Sequence, residues 1–209
     1  MVIQIVVVLG VILVSMTLHE VMHGFMAYWL GDDTAKEQGR LTLNPLKHID
    51  PFLTVLLPVL LLLVGGPIFG GAKPVPFNPG RVRFEEFGAA LVALAGPLVN
   101  LLIAFFATGV LVLIDPAVGS IGWLVTVMMI QINLGFFVFN LLPIPPLDGS
   151  RVLYALAPEF VRRGMEAMEQ FGLVVVFILV MFAGSLLGRF MFTAIESISQ
   201  FFLMVFGGV

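Results

Sequence analysis

Not one of the 209 residues is cysteine, which excludes disulfides, thiolate metal ligands and a thiol nucleophile together. Charge is nearly as scarce. Asp, Glu, Lys and Arg make up 11% of the chain, against about a quarter in soluble domains. The 10 basic and 13 acidic residues leave no cationic surface that could follow a phosphate backbone, so a nucleic-acid partner is excluded. With only three histidines, any metal site must draw on those and on Asp or Glu. What remains is apolar: 60% hydrophobic residues and a mean hydropathy of +1.11 place the chain in a lipid bilayer. A chain this short accommodates one bundle of several spans of about 20 residues each, and a single domain over residues 1–209 is expected.

The first apolar stretch, from Val2, lacks a cationic start and a small-residue cleavage site, so it reads as a retained helix reaching about Leu30. A polar loop follows from Asp32 to Asp50, with turns at Asn44-Pro45 and Asp50-Pro51. Phe52 to Val64 is apolar but short, contains Pro58 and runs into Gly65-Gly66-Pro67, which suits a re-entrant segment better than a span. In Lys73-Pro74-Val75-Pro76-Phe77-Asn78-Pro79 the prolines exclude a helix and favour extended backbone. Phe87 to Ile114 and Ile121 to Leu142 are long membrane helices, the second ending at Pro143-Ile144-Pro145-Pro146. A polar loop around Arg162 and Glu166 precedes two last segments, about Phe171 to Leu187 and Phe190 to Phe206. Glu196, Ser197, Ser199 and Gln200 leave open whether the final one spans or lies along the interface. The fold class expected is therefore an all-α polytopic bundle of about five to six membrane segments, with a re-entrant or extended segment between the first and second long spans.

Basic residues collect before the Phe87 helix (Lys36, Arg40, Lys47, Lys73, Arg81, Arg83) and after the Ile121 helix (Arg151, Arg162, Arg163), with none between. The positive-inside rule then puts both regions in the cytoplasm and the N-terminus outside. Geometry leads to the same topology. At 1.5 Å per residue His19 and His23 lie about 25 Å or more along the first helix, and Asp148 follows the end of another. If the three share one ion, an even number of crossings separates them. The two long central helices supply two, and a third crossing through Phe52–Val64 would abolish the site.

His19-Glu20-Val21-Met22-His23 sets two imidazoles on one helical face with a carboxylate beside them. Such a pair can hold a cation, and Glu20 can act as base toward its water, whose pKa a bound zinc lowers to about 7. Three ionisable groups in a membrane helix are costly and point to function, although mutual satisfaction within a helix bundle is the bland alternative. A catalytic zinc usually takes a third protein ligand. Asp148 is placed for it, but on spacing alone it could equally cap the helix opening at Gly149-Ser150-Arg151. Asn100, mid-membrane, is read as an interhelical hydrogen-bonding residue, and His48, in a basic loop, is left outside the site.

His19-Glu20-Val21-Met22-His23 together with Asn140-Leu141-Leu142-Pro143-Ile144-Pro145-Pro146-Leu147-Asp148-Gly149 resembles the site-2 protease family of intramembrane zinc metalloproteases, in its short bacterial or archaeal form. Gly39-Arg40-Leu41-Thr42-Leu43-Asn44-Pro45, Ala72-Lys73-Pro74-Val75-Pro76 and Ala95-Gly96-Pro97-Leu98-Val99-Asn100 add to the likeness, which covers about Leu13 to Leu156. The resemblance implies one zinc per chain held by His19, His23 and Asp148, with Glu20 as general base and acid. It implies a site towards the cytoplasmic side of a bacterial or archaeal cell membrane, and membrane-spanning client proteins as substrates. It also implies that Asn140 steadies the substrate or the oxyanion, for which a neutral amide donor is suited; a buried Asn bonding a neighbouring helix is the alternative. Lys73, Pro74, Val75, Pro76 and Phe77 could pair edge to edge with an unwound client, or form a plain proline-stiffened loop. The interval between the motifs is too short for the peptide-binding domain some members insert there, and neither a helix before the one bearing His19 nor a regulatory domain after the bundle is expected.

A non-proteolytic membrane protein using the same ligands, as a metal or proton carrier or a silent binder of client helices, is the competing reading. Retention of Glu20 argues against the silent binder. A carrier should show ionisable residues continuing across the bilayer, and the outer halves of these helices have almost none.

Overall fold

In the computed structural model, which describes residues 2–56, 60, 63 and 71–207, apolar runs become helices wherever prolines do not cluster. Inside a bilayer only a helix satisfies every backbone N–H and C=O within its own segment. The helices are α1 (Val2–Trp29), α2 (Thr34–Glu37), α3 (Glu85–Ile114), α4 (Ile121–Asn140), α5 (Asp148–Leu156), α6 (Glu159–Glu169) and α7 (Leu173–Val205). Among the described residues α1, α3, α4 and α7 are long and apolar enough to cross a membrane, and there is no strand. The expected helical membrane bundle is what forms.

Two boundaries differ from the sequence expectation. The segments Phe171–Leu187 and Phe190–Phe206 are one helix, α7. Gly188-Arg189 does not break it, because a glycine facing lipid has no water with which to exchange its helical hydrogen bonds. At about 50 Å by helical rise, α7 exceeds the hydrocarbon thickness of about 30 Å, which lets it carry Glu196 to Gln200 without a separate interfacial helix. The polar stretch around Arg162 is likewise helical rather than a loop: α5 and α6 are tied by the Arg151–Glu169 ion pair and by Tyr154 donating to Glu166 at 2.6 Å.

Helix α3 is central, packing on α1, α4 and α5. Its buried side is made of small residues, Gly88, Ala89, Ala90, Ala93, Ala95 and Gly96, so neighbouring backbones come close, as small-residue faces permit in membranes. Helix α7 is peripheral. Only 6% of its apolar stretch is buried, against 28% in each of α1, α3 and α4, and it is anchored mainly where Phe202 meets Ala104, Ile130 and Leu134.

The chain between α2 and α3 returns to where it left. Lys73 N–H donates to His48 O at 2.9 Å, Gly71 N–H to Leu53 O at 3.1 Å, and the Thr54 hydroxyl to Gly71 O at 2.7 Å. The ends of the 53–71 stretch therefore meet, as a re-entrant segment requires. Residues 57–59, 61, 62 and 64–70, which include part of Phe52–Val64 and the glycines at 65, 66 and 70, lie outside the described residues. Residues 71–78 form no helix, in keeping with their prolines.

Asp32, fully buried, fastens this return. Its Oδ1 accepts from the Thr34 N–H and hydroxyl, and its Oδ2 from Asn78 N–H at 2.5 Å. Burial alone would raise the Asp32 carboxyl, but these donors, led by the Thr34 hydroxyl, hold it below the usual carboxylate range. Charge-assisted hydrogen bonds contribute about 1.5–3 kcal/mol each, so Asp32→Ala should destabilise the detergent-solubilised protein by about 2 kcal/mol or more in thermal unfolding. Because the folded carboxyl is the stronger acid, its stabilisation is complete above the unfolded value of about 3.9 and is lost as pH falls through the folded value. The variant and parent should converge in stability under strong acid and not at neutral pH.

Candidate metal centre

Helical spacing sets His19 and His23 on one face of α1, and the first residue of α5 brings Asp148 against them. His19 Nε2 lies 3.0 Å from His23 Nε2, and Asp148 Oδ2 lies 3.2 Å from the first and 3.5 Å from the second. The three groups expected from sequence to share an ion thus meet in space. The close approach is possible because α3 has Gly96 beneath them. A Cβ there would stand 2.4 Å from His23 Nε2 and 2.7 Å from His19 Nε2.

Carbonyl oxygens, which can only accept, settle where the imidazole protons are. Asn133 Nδ2 donates to Met129 O at 2.8 Å and to Ser15 Oγ at 2.8 Å, so Asn133 Oδ1 faces Asn100. Asn100 must answer with Nδ2, at 2.8 Å, which turns its Oδ1 to His19 Nδ1 at 2.6 Å. His19 therefore carries its proton on Nδ1. His23 Nδ1 faces the Val92 carbonyl at 2.8 Å and carries its proton there too. Both Nε2 atoms then present lone pairs to each other and to a carboxylate. Such a trio repels itself unless a positive charge lies among its members.

The spacing and chemistry fit zinc. Ligand bonds of about 2.0–2.1 Å in tetrahedral array place donor atoms about 3.3 Å apart, and the three observed separations run from 3.0 to 3.5 Å. Imidazole and carboxylate donors suit zinc among the divalent ions. Asp148 Oδ2 is buried yet accepts no hydrogen bond, which leaves it free to ligate and does not suit the helix-capping alternative for that oxygen. Its place at the start of α5 favours the ionised form.

Glu20, next to His19, is tied to the extended segment: Glu20 Oε2 accepts from Val75 N–H at 2.8 Å. That segment is in turn held by Arg40, whose Nη2 donates to Lys73 O at 2.8 Å and Pro74 O at 3.3 Å. Val75 packs into the notch left by Gly24 of α1, where a Cβ would meet it at 2.9 Å, and Phe77 packs against Ala27, Val82 and Val92. Of Lys73 to Phe77, then, two side chains anchor the segment to the protein and only Lys73 and Pro74 are exposed. Asn140 ends α4, and its amide donates to Phe136 O at 3.0 Å. His48 is fully buried rather than solvated, with Nε2 on Thr42 O at 2.8 Å.

Sequence reading missed Asn133 and Ser15, the far members of the chain of hydrogen bonds ending at His19, and the supporting role of Arg40. An Asn in the middle of each central helix was the available signal. Outer partners of ligating histidines typically contribute 10- to 100-fold to metal affinity. Asn100→Leu should accordingly weaken zinc binding by roughly that factor in competition with a chromophoric chelator, with the bundle still folded. Unchanged affinity would contradict the orienting role.

Residues 115–184 match Peptidase family M50. The chain is 44% identical over 181 residues to "Putative zinc metalloprotease YwhC" of Bacillus subtilis, covering 80% of this chain and 77% of that protein. It is 37% identical over 170 residues to "Putative zinc metalloprotease Rip2" of Mycolicibacterium smegmatis, covering 80% and 63%. To the protein of the same name from Mycobacterium tuberculosis it is 35% identical over 181 residues, covering 86% and 68%. No solved structure matches the chain.

Proposed function

The chain belongs to Peptidase family M50, the site-2 protease family, and from that premise we propose that it is an intramembrane zinc endopeptidase that cuts peptide bonds in the membrane-spanning segments of client proteins. The reading is carried by one observation, the convergence of His19 Nε2, His23 Nε2 and Asp148 Oδ2 at tetrahedral spacing, with Glu20 on the same turn of helix. These three residues would hold one zinc per chain, and residues 1–209 would act as a single unit. Basic residues on either side of α3 and α4 support a site facing the cytoplasm.

When bound there, zinc supplies Lewis acidity, activating water and polarising the client's carbonyl. The remaining work falls to the protein. Glu20 Oε2 takes a proton from the attacking water and delivers it to the departing amide nitrogen. Asn100 and the Val92 carbonyl keep both imidazoles in the ligating tautomer. Lys73 to Phe77 lies beside Glu20, and among the described residues the Val75 C=O and Phe77 N–H make no hydrogen bond, so an extended client can add there through main-chain bonds. Asn140 would leave Phe136 O to donate to the developing oxyanion.

The test is cleavage of a single-spanning client helix by purified protein in vesicles. Cutting should vanish when zinc is stripped by a chelator and return with one equivalent of zinc, but not with magnesium. Cutting that survives complete stripping would overturn the proposal.

A further inference from the structure

One turn before Glu20, α1 borders a half-open apolar cavity of about 190 Å³, lined by Leu13, Val14, Thr17 and Leu18 on one side and by Leu43 and Pro45 on the other, with Val14 and Leu43 exposed at its rim. For scale, an apolar cavity of roughly 150 Å³ admits benzene, so a leucine- or phenylalanine-sized group fits. The cavity has one polar feature. Thr17 is 4% exposed, and its hydroxyl has no hydrogen-bond partner. Three other helical hydroxyls turn back to the carbonyl four residues earlier: Thr108 to Ala104 O, Thr126 to Gly122 O and Ser197 to Thr193 O. Thr17 does not. A buried hydroxyl without a partner is destabilising, and an acceptor that entered the cavity would relieve it.

Thr17 and Glu20 are three residues apart, hence neighbours on the surface of α1. Their separation along the axis is about 4.5 Å, little more than the 3.3 Å or so that one residue spans in extended chain. The Arg40-to-Pro45 loop that lines the cavity also holds, through Arg40, the Lys73 and Pro74 carbonyls next to the residue bound to Glu20. We infer that this cavity is a specificity subsite, which takes an apolar side chain of the client next to the cut bond while Thr17 donates to a client carbonyl. An unwound client helix brings both an aliphatic or aromatic side chain and a backbone acceptor released from its helix. A lipid ester also carries a carbonyl, but the cavity adjoins Glu20 and the segment it holds, so the occupant is assigned as the peptide that reaches that carboxylate. The inference rests on the protease reading given above.

The experiment uses the zinc-loaded protein in vesicles of phosphatidylethanolamine and phosphatidylglycerol, with a set of single-spanning Leu/Ala helices. Each client carries Ala, Leu, Phe or Trp at one position flanking a central Asn-Gly break. The parent should prefer Leu over Ala about tenfold at a single flanking position. Val14→Ala, which enlarges the cavity, should move the optimum to Phe or Trp. Thr17→Val, nearly isosteric, should lower kcat/KM about tenfold on every client, with zinc content unchanged and thermal stability no lower than the parent's. A parent that cuts clients with the same flanking profile as Val14→Ala would overturn the subsite and leave the protease reading standing. A preference that follows the acyl-chain length of the vesicle instead would assign the cavity to lipid, and overturn the subsite too. If the parent cuts no client at all, the protease reading fails and takes the subsite with it.

Discussion

Glu20→Gln should retain one zinc per chain and lose cleavage by a factor of about 10² to 10⁴, the range a positioned general base supplies. The amide keeps the size of the side chain, and its oxygen can still accept the Val75 N–H that Glu20 Oε2 holds at 2.8 Å. Neither the bundle nor the three ligating groups should move. What disappears is the ability to accept a proton from water and pass it on. Zinc content by elemental analysis and initial rates on a membrane-helix client separate the two effects. A variant that keeps its zinc and cuts as fast as the parent would remove Glu20 from the mechanism and favour a structural role in holding the extended segment.

Gly96→Ala should abolish zinc retention, and cleavage with it, through one added methyl. That methyl would lie inside contact distance of both Nε2 atoms, at 2.4 Å and 2.7 Å, and each imidazole is held from behind by a hydrogen bond, to Asn100 and to the Val92 carbonyl. Relief requires breaking one of those bonds or parting α1 from α3, and either destroys the spacing that fits a cation. The expected loss in activity is at least 10³-fold, since a displacement of about 1 Å already costs around 10². Gly135→Ala on α4 is the matched control, because a Cβ there meets nothing within 4 Å. It should bind zinc and cut like the parent. Equal zinc content in the two variants would contradict the geometry of the site.

Where the sequence was legible, the reason was periodicity or cost. The long apolar runs predicted α1, α3 and α4 to within a few residues, because a bilayer leaves helices as the only option. His19, Glu20 and His23 stood out because charge in a membrane is expensive enough to be informative, whereas Asp148 as their partner came from the family resemblance, with which the count of crossings was only consistent. Gly188-Arg189 misled because glycine marks a break in water and not in lipid. The polar residues around Arg162 concealed α6, a helix that is amphipathic rather than apolar. The hydrogen-bond chain Ser15–Asn133–Asn100–His19 could not be read from sequence. It depends on three helices meeting at one depth, and each member looks in isolation like an ordinary polar residue in a span. A basic surface loop would leave His48 solvated or interfacial, whereas the return of the chain through Lys73 to its carbonyl buries it. Thr17 gave no signal at all, since only packing reveals that its hydroxyl lacks a partner.

Zinc K-edge X-ray absorption on the purified protein, compared with His23→Ala and Asp148→Ala, tests the shared ion most directly. The parent should show one zinc per chain, with nitrogen and oxygen neighbours at about 2.0–2.1 Å and the outer-shell scattering of two imidazoles. His23→Ala should lose one imidazole from that pattern together with most of its metal, and Asp148→Ala should lose metal with the imidazole signal of any remainder intact. Zinc bound at full stoichiometry with an unchanged spectrum in both variants would show that α1 and α5 do not share the ion.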